Sequence, residues 1–444
     1  MFENFFDINK NSLITSLQKL IQMESVEDES TDGMPFGKGV DDALKFVLNI
    51  GNKLGFHTVY KDGYYGYIEM GQGEELIGIL AHLDVVPAEN PETWIYPPFS
   101  GKIANNRIYG RGAIDDKGPL IAALYAMKAV KDSKVPLNKR VRLILGTNEE
   151  THWQGIKKYI EDEEIPAYGF TPDSDFPLIH SEKGLLQIKV STNTHDSSFI
   201  LIGGDALNSV PHNCTYIGNM VEKLAINANA MNFASETKED SITLIGQAAH
   251  SAKGWEGINA IVRASILLSK ANISSPLISF IVNEVGEDIY ASNLFGNYYD
   301  EVSGKLTFNI AKITIDANFH EFFVDMRIPA TKEKEEVLKI LQKSLDKYEL
   351  DMEVLDFLPS LYVPIDHSLI KTLRQVYEDK TQQNSTPLST GGATYARAFE
   401  NFVAFGPLFP SQEKLAHKKD EFIDIDHLIR CADIYAEAIA RLAK

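Results

Sequence analysis

The sequence predicts an α/β protein of two domains, in which a second, α+β domain is inserted into the first. The chain has 444 residues, more than one hydrophobic core usually organises. Up to about residue 180, strand-like and helix-like runs follow in β, α, β order, and beyond it a second set of strands and helices begins. We therefore expect the first domain over residues 1–180 and 386–444, and the inserted domain over residues 181–385.

Apolar periodicity predicts the elements of the first domain. Two amphipathic helices come first, and the second ends at Gly55. Their apolar positions are Leu13, Leu17, Leu20 and Ile21, then Val40, Leu44, Val47, Leu48 and Leu54. Strands are predicted over residues 66–70, 76–86 and 140–146, with a helix over residues 119–130. This order predicts an open α/β sheet, and such sheets bind ligands beyond the carboxyl ends of their strands.

The inserted domain continues with strands over residues 184–192, 241–246, 306–315, 319–328 and 352–357, and helices over residues 217–228, 256–271 and 332–348. The apolar stretch within residues 273–297 is expected to be buried; if it were exposed, it would instead mark an oligomer interface. A short helix after Gly391-Gly392, a strand over residues 402–405 and a helix over residues 424–442 follow. If His417, which lies in this segment, joins the polar residues of the first domain, the chain must return to that domain here.

Charge and composition exclude several classes of function. The net charge is −19, with 62 acidic and 43 basic residues, and no basic run stands out, so binding to nucleic acid or to anionic membranes is not expected. The first residues lack the pattern of a signal peptide and no apolar run approaches ~20 residues, which favours a cytoplasmic protein. Cys214 and Cys431 form neither a disulfide framework nor a thiolate cluster, so any metal would be held by nitrogen and oxygen.

Several polar groups stand where the predicted strands end or turn. His82 and Asp84 close an apolar strand two residues apart, so they can lie on one face. Asp115 and Asp116 lie in a glycine-flanked turn, Glu149 and Glu150 directly follow a buried strand, and Asp173 and His417 complete the set. Each of these alone is more typical of a buried pair, a surface turn or a solvated helix start. One of the two adjacent glutamates could bind a metal while the other acts as a base.

In this combination the sequence resembles the M20 family of co-catalytic metallopeptidases. The motifs occur in order along nearly the whole chain: His-Leu-Asp-Val-Val-Pro from residue 82, Gly-Arg-Gly from residue 110 running into Asp-Asp-Lys-Gly from residue 115, Glu149-Glu150, Asp173, and His417 ahead of Lys-Asp-Glu at 419–421. Within the family, the sequence is most similar to the bacterial PepV-type dipeptidases. That similarity rests on the Gly-Gly-Ala-Thr-Tyr-Ala-Arg segment from residue 391, the Asn-Ser-Val-Pro segment from residue 208 and a long middle domain. Ala393 stands where a third glycine is expected.

The resemblance implies an architecture and an activity. It implies a catalytic domain with a mixed central sheet flanked by helices, as in zinc peptidases, and an inserted α+β lid domain of two subdomains. Because such a lid fills the place of a dimer partner, it implies a monomer. The implied function is hydrolysis of the peptide bond of unblocked dipeptides with two divalent metal ions, zinc or manganese, with cobalt as a further candidate.

The resemblance also implies a role for each residue of the cluster. Asp115 would bridge the two ions, with Glu150 and His417 completing one site and His82 and Asp173 the other. Asp84 would hydrogen-bond to His82, and Glu149 would be the general base that takes a proton from a water between the ions. Two divalent cations bring four positive charges, which match the four carboxylates at residues 115, 149, 150 and 173.

Three residues of the lid would contact the substrate. His250, in a loop of small residues, resembles the family's lid histidine, which contacts the oxyanion, and Asn208 could supply a second donor. Arg327 would pair with the substrate's C-terminal carboxylate, because a planar guanidinium suits bidentate binding. Closure of the lid would then complete the site.

Two other functions remain open from the sequence. An M20-type N-acyl amino-acid amidohydrolase would share every metal residue and differ in its substrate pocket. A catalytically inactive, peptide-binding homologue is disfavoured because Glu149 is present. A serine hydrolase is disfavoured because no Gly-x-Ser-x-Gly occurs, and there is no P-loop or dinucleotide fingerprint.

Overall fold

The structure, a computed structural model, describes residues 2–193 and 198–444, and the chain folds into two compact units. The first unit consists of Met1–His180, Val363–Leu388 and Thr394–Lys444, and the second of Ser181–Tyr362 and Ser389–Ala393. Within the described ranges, no helix is long and apolar enough to cross a membrane.

A mixed sheet forms the centre of the first unit, as the sequence predicts. Its strands, in spatial order, are His57–Lys61, Tyr65–Gly71, Arg140–Gly146, Leu76–His82, Tyr168–Thr171 and Phe402–Ala404, followed by Ile179 of the Ile179–Glu182 strand. The strand Leu76–His82 is fully buried and runs parallel to both of its neighbours. Three adjacent parallel strands therefore end at one edge of the sheet.

Helices cover this sheet. They are Glu3–Ile21, Lys38–Lys53, Lys117–Ser133, Gln154–Asp162, Ser368–Thr381 and Ile425–Leu442. Lys117–Ser133 buries almost every residue because it packs against the central strand, the first helix and the C-terminal helix. Short strands complete the unit: Lys102–Ala104, Arg107–Tyr109 and Phe422–Asp424 form one small sheet, and Ser174–Asp175 pairs with Pro407–Leu408.

An eight-stranded antiparallel sheet forms the second unit. Its strands, in spatial order, are Ser235–Thr237, Ser241–Ile245, Asn213–Ile217, Ile200–Gly203, Thr307–Ile315, His320–Ile328, Gly184–Ser191 and Asp351–Leu358. Its helices are Val221–Ala230, Ala260–Lys270, Pro276–Phe280, Ser292–Phe295 and Lys334–Leu345. Apolar side chains of one face, such as Leu186, Ile310 and Val324, share a core with these helices. Asn309 and Asp325 are cross-strand partners and therefore lie on the opposite face from Ile310 and Val324.

Within residues 273–297, short helices place apolar side chains in the core of the second unit. Leu277, Ile278 and Phe280 are fully buried and belong to the core of this unit. The segment therefore packs against its own unit.

One domain boundary and several element boundaries differ from the sequence expectation; the strand predicted over residues 76–86, for example, ends at His82. The predicted domain boundary at residue 385 falls too late, because Ser368–Thr381 buries Leu373 and Val376 in the core of the first unit and residues 363–388 belong there. The predicted helix over 217–228 begins only at Val221, after the strand Asn213–Ile217. The predicted helix over 256–271 begins at Ala260, because the side chain of Asn259 accepts hydrogen bonds from the first free N–H groups.

Candidate metal centre

The candidate site lies in the first unit, where the parallel strands end. His82 is the last residue of Leu76–His82, Glu149 and Glu150 follow Arg140–Gly146, and Asp173 follows Tyr168–Thr171. Because neighbouring parallel strands end at the same edge, side chains distant in sequence come close. Asp115 precedes the helix Lys117–Ser133, and His417 lies in the loop before Phe422–Asp424.

Asp115 lies between the two histidines. Its Oδ1 is 3.1 Å from His82 Nε2, and its Oδ2 is 3.2 Å from His417 Nε2. Glu150 Oε2 is 3.0 Å from His417 Nε2, and Asp173 Oδ2 is 3.7 Å from His82 Nε2. The structure therefore brings the five predicted ligands into two groups that share one carboxylate.

Carboxylates outnumber histidines in this cluster, and this shifts the pKa values of its side chains. Burial and the charge of Asp115 raise the pKa of Asp173 well above its ordinary value, and burial raises the pKa of Glu149 to about 8. Hydrogen bonds that its imidazole donates to Asp115 and Glu150 raise the pKa of His417 to about 10. Burial acts to raise the pKa of Asp115, but hydrogen bonds that its carboxylate accepts from the two histidines hold this pKa below its ordinary value. Protons on the histidines thus partly offset the carboxylates.

The donor set fits divalent cations. It consists of imidazole nitrogens and carboxylate oxygens, and ligand atoms of His82, Asp115 and Glu150 all lie within 4.8 Å of one another. Two buried carboxylate oxygens, Asp84 Oδ1 and Asp116 Oδ1, have no hydrogen-bond partner within the described part of the chain. Buried carboxylates without enough donors are stabilised by bound cations.

Asp84 connects two of the candidate ligands. His82 Nδ1 lies 3.0 Å from the backbone carbonyl of Asp84 and 3.5 Å from its carboxylate, so the carbonyl is the nearer acceptor. Donation from Nδ1 leaves Nε2 as the ligand atom. The Asp84 carboxylate also accepts the N–H of Glu150 at 2.9 Å. This residue therefore orients one ligand from each group.

Three further residues, Asp116, Glu421 and Arg111, have no role in the sequence prediction but form hydrogen bonds with the candidate ligands or with the turn that carries Asp115. Asp116 Oδ2 accepts the N–H of His82 at 3.2 Å. Glu421 is fully buried, accepts the N–H groups of Ile114 and Asp115 at 2.9 and 3.3 Å, and pairs with Arg111 at 2.7 Å. The Arg111 guanidinium also donates to the carbonyl of His417 at 3.3 Å. In sequence, Glu421 ends a charged run that is typical of an exposed loop.

Aromatic side chains pack against this cluster. Tyr395 is fully buried, and its ring centroid lies 6.3 Å from that of His82 and 5.3 Å from that of Trp153. Trp153 Nε1 donates to the carbonyl of Glu149 at 2.7 Å. These rings limit the access of water to His82.

Asn208 and His250 lie together on a two-stranded ribbon of the second unit. Ser209–Val210 pairs with Ala249–His250, and Ser251 N–H donates to the Asn208 carbonyl at 2.9 Å. Both side chains are exposed. His250 Nδ1 accepts the N–H of Ala252 at 3.1 Å, and partial desolvation of the ring together with the charge of Arg327 lowers the pKa of its imidazole. The neutral ring therefore carries its proton on Nε2, as a hydrogen-bond donor.

Arg327 is buried and already paired. It is 2% exposed, and its Nε and Nη2 donate to the two Asp325 oxygens at 2.8 and 3.1 Å. Nη1 donates to the carbonyl of Gly391 at 3.0 Å. Asp325 thus occupies the bidentate face of Arg327, to which the family resemblance assigns a substrate carboxylate.

Comparisons with known proteins agree on one family. The model of peptidase family M20/M25/M40 matches residues 78–441. The Bacillus subtilis (strain 168) protein named "Putative dipeptidase YtjP" is 37% identical over 458 residues, covering 98% of both chains. A Staphylococcus epidermidis protein of similar description is 33% identical, covering 98% of this chain and 97% of that protein. The crystal structure of human carnosine dipeptidase 1 has the same fold, with a TM-score of 0.61, 14% identity and coverage of 99% and 98%.

Proposed function

The chain belongs to the M20/M25/M40 peptidases and is a metallopeptidase, and from this we propose that it is a dipeptidase acting on unblocked dipeptides. The relatives of similar length are named as dipeptidases. The observation that carries the proposal is the Asp115 carboxylate, which presents one oxygen to His82 and the other to His417.

We propose that two divalent cations occupy this cluster. His82 and Asp173 would hold one, His417 and Glu150 the other, and Asp115 both. When bound, such cations polarise the scissile carbonyl and lower the pKa of water. His and carboxylate ligands accept zinc, manganese or cobalt, and elemental analysis of the purified protein identifies which of them is bound.

Glu149 is the proposed general base. It is adjacent to a candidate ligand but stands in no ion pair or side-chain hydrogen bond with the histidines, and burial raises its pKa to about 8. Nearby cations would favour its ionised form. The carboxylate would take a proton from the attacking water and return it to the leaving amino group.

His250 is the proposed donor to the oxyanion of the tetrahedral intermediate, with Asn208 as a second donor. A neutral imidazole with its proton on Nε2 suits this task, since it donates without itself changing charge. Arg327 is a weaker candidate for binding the substrate carboxylate, because three of its N–H groups are already used.

A substrate panel tests the proposal against its two alternatives. The protein is stripped of metal, resupplied with Mn²⁺, Zn²⁺ or Co²⁺, and offered free dipeptides and their N-acetylated counterparts. Turnover of free dipeptides is expected. Turnover of only the acetylated set would instead identify an N-acyl amidohydrolase, and no turnover with any cation would indicate a peptide-binding protein.

A further inference from the structure

We infer that Asn309 is a positioning residue that holds the His250 ribbon in its working geometry, an inference that rests on the proposed role of His250. Asn309 is 6% exposed and lies on the strand Thr307–Ile315. It does not belong to the ribbon, yet its side chain contacts both of the ribbon's chain segments.

The amide of Asn309 donates to each segment. Its Nδ2 lies 2.8 Å from the carbonyl of Ser209, the residue that pairs with His250. The same Nδ2 lies 2.9 Å from Ser251 Oγ, on the residue that follows His250. A side-chain amide has two N–H donors, and both are used here on the two residues that flank the candidate donors Asn208 and His250.

A second asparagine fixes the first. Asn259 Nδ2 donates to Asn309 Oδ1 at 3.0 Å and to the carbonyl of Ile310 at 2.8 Å. Asn259 Oδ1 accepts the N–H groups of Ile261 and Val262 at the start of the helix Ala260–Lys270. The Asn309 amide is therefore held with its oxygen towards Asn259 and its nitrogen towards the ribbon.

The ribbon needs such support because it is short. Its pairing consists of Ser209–Val210 with Ala249–His250, and an isolated two-stranded pair is at best marginally stable. Asn309 links it to the central strands of an eight-stranded sheet. Without this link, His250 Nε2 should sample positions from which it cannot donate to the oxyanion.

A double-mutant cycle with His250 tests this inference. Asn309→Ala should lower kcat roughly tenfold, because displacement of a reacting group by about 1 Å can cost as much as 10² in rate. KM and metal content should stay nearly constant. In the His250→Ala background, Asn309→Ala should have no further effect on kcat, since the group that it positions is gone. Equal losses of kcat in both backgrounds would overturn the inference.

A matched control separates positioning from loss of stability. Ile310→Val changes the next residue of the strand, in the apolar core, and should lower Tm while leaving kcat unchanged. If Ile310→Val lowers kcat as much as Asn309→Ala at a similar loss of Tm, a positioning role is overturned.

A spectroscopic readout keeps the inference independent of turnover. Ring ¹⁵N shifts, assigned to His250 by comparison with His250→Ala, should report the Nε2–H tautomer in the wild type and a mixture in Asn309→Ala. Unchanged shifts would overturn positioning by Asn309. If His250→Ala leaves kcat unchanged, the proposed role of His250 fails, while the shifts still decide whether Asn309 orders the ring.

Discussion

The metal centre of the first unit and the His250 ribbon of the second differ in what holds them. The centre packs the carboxylates of Asp115, Glu150 and Asp173 around two histidines whose pKa values are raised. The ribbon carries a neutral imidazole and is fixed by amide and backbone hydrogen bonds within its own unit. We propose that cations balance the charge of the first arrangement, whereas hydrogen bonds within one unit hold the second.

Because of this difference, substitutions in the two regions should have different effects. Changes in the first unit should alter metal content, metal-linked stability or proton transfer. Changes at the ribbon should alter turnover and leave metal content as it is.

The largest effect is expected from removal of the shared carboxylate. Asp115→Ala should lose both ions and all measurable turnover. The reason is that Asp115 is the one carboxylate that contacts both histidines, so each proposed metal site loses a ligand. Elemental analysis of the purified variant measures the metal content. Asp132→Ala, at an exposed position of the same unit, is the control and should keep both ions. Two ions retained in Asp115→Ala would refute the bridging role.

Glu149→Gln is expected to have the next largest effect. It should keep the metal content and lower kcat by ~10² to 10⁴, the usual contribution of a general base. Glu161→Gln changes an exposed glutamate of the following helix and should behave as wild type. Unaltered turnover in Glu149→Gln would show that another group moves the proton.

The sequence predicted the fold where apolar periodicity is strong. The fully buried strand Leu76–His82 and the helix Lys117–Ser133 follow directly from continuous apolar runs, and a parallel sheet then brings His82 and Glu150 to one edge. The boundary at residue 385 was wrong because the amphipathic pattern of Ser368–Thr381 shows that one face is buried, but not in which core.

The supporting residues of both sites could not be predicted from the sequence. Glu421 is buried only because Arg111 and the N–H groups of the Asp115 turn meet it there. Asn309 contacts Ser209 and Ser251, which are 100 and 58 residues away. Contacts of this kind depend on strand register and leave no local pattern.

Replacement of His250 tests the role of the ribbon in the second unit. His250→Ala should lower kcat by ~10² to 10³, as expected for the loss of one oxyanion donor, and should leave the metal content unchanged. His212→Ala removes an exposed histidine of the same unit and serves as the control. A loss of metal in His250→Ala would contradict the separation between the two regions.

The smallest expected effect is a change of metal-linked stability with pH. The pKa values of His417 and Glu149 are raised to about 10 and about 8, from ordinary values of 6.5 and 4.5. The metal-free folded protein therefore binds more protons than the unfolded chain between these values, so its stability falls as pH rises. Metal binding requires deprotonated ligands. For each proton that the metal displaces, the apparent metal affinity therefore rises about tenfold per pH unit.

As pH rises, the metal-free protein loses stability while metal binds more tightly, and both changes favour the metal-loaded protein. The difference in Tm between the Mn²⁺-loaded and chelator-treated protein should widen steadily from pH 5.5 to pH 8, as calorimetry can measure. Asp115→Ala should show almost no difference at any pH, because it cannot exchange protons for metal. A Tm difference that does not change with pH in the wild type would mean that the histidines are already unprotonated in the metal-free protein. The charge imbalance that sets the metal centre apart from the ribbon would then be absent.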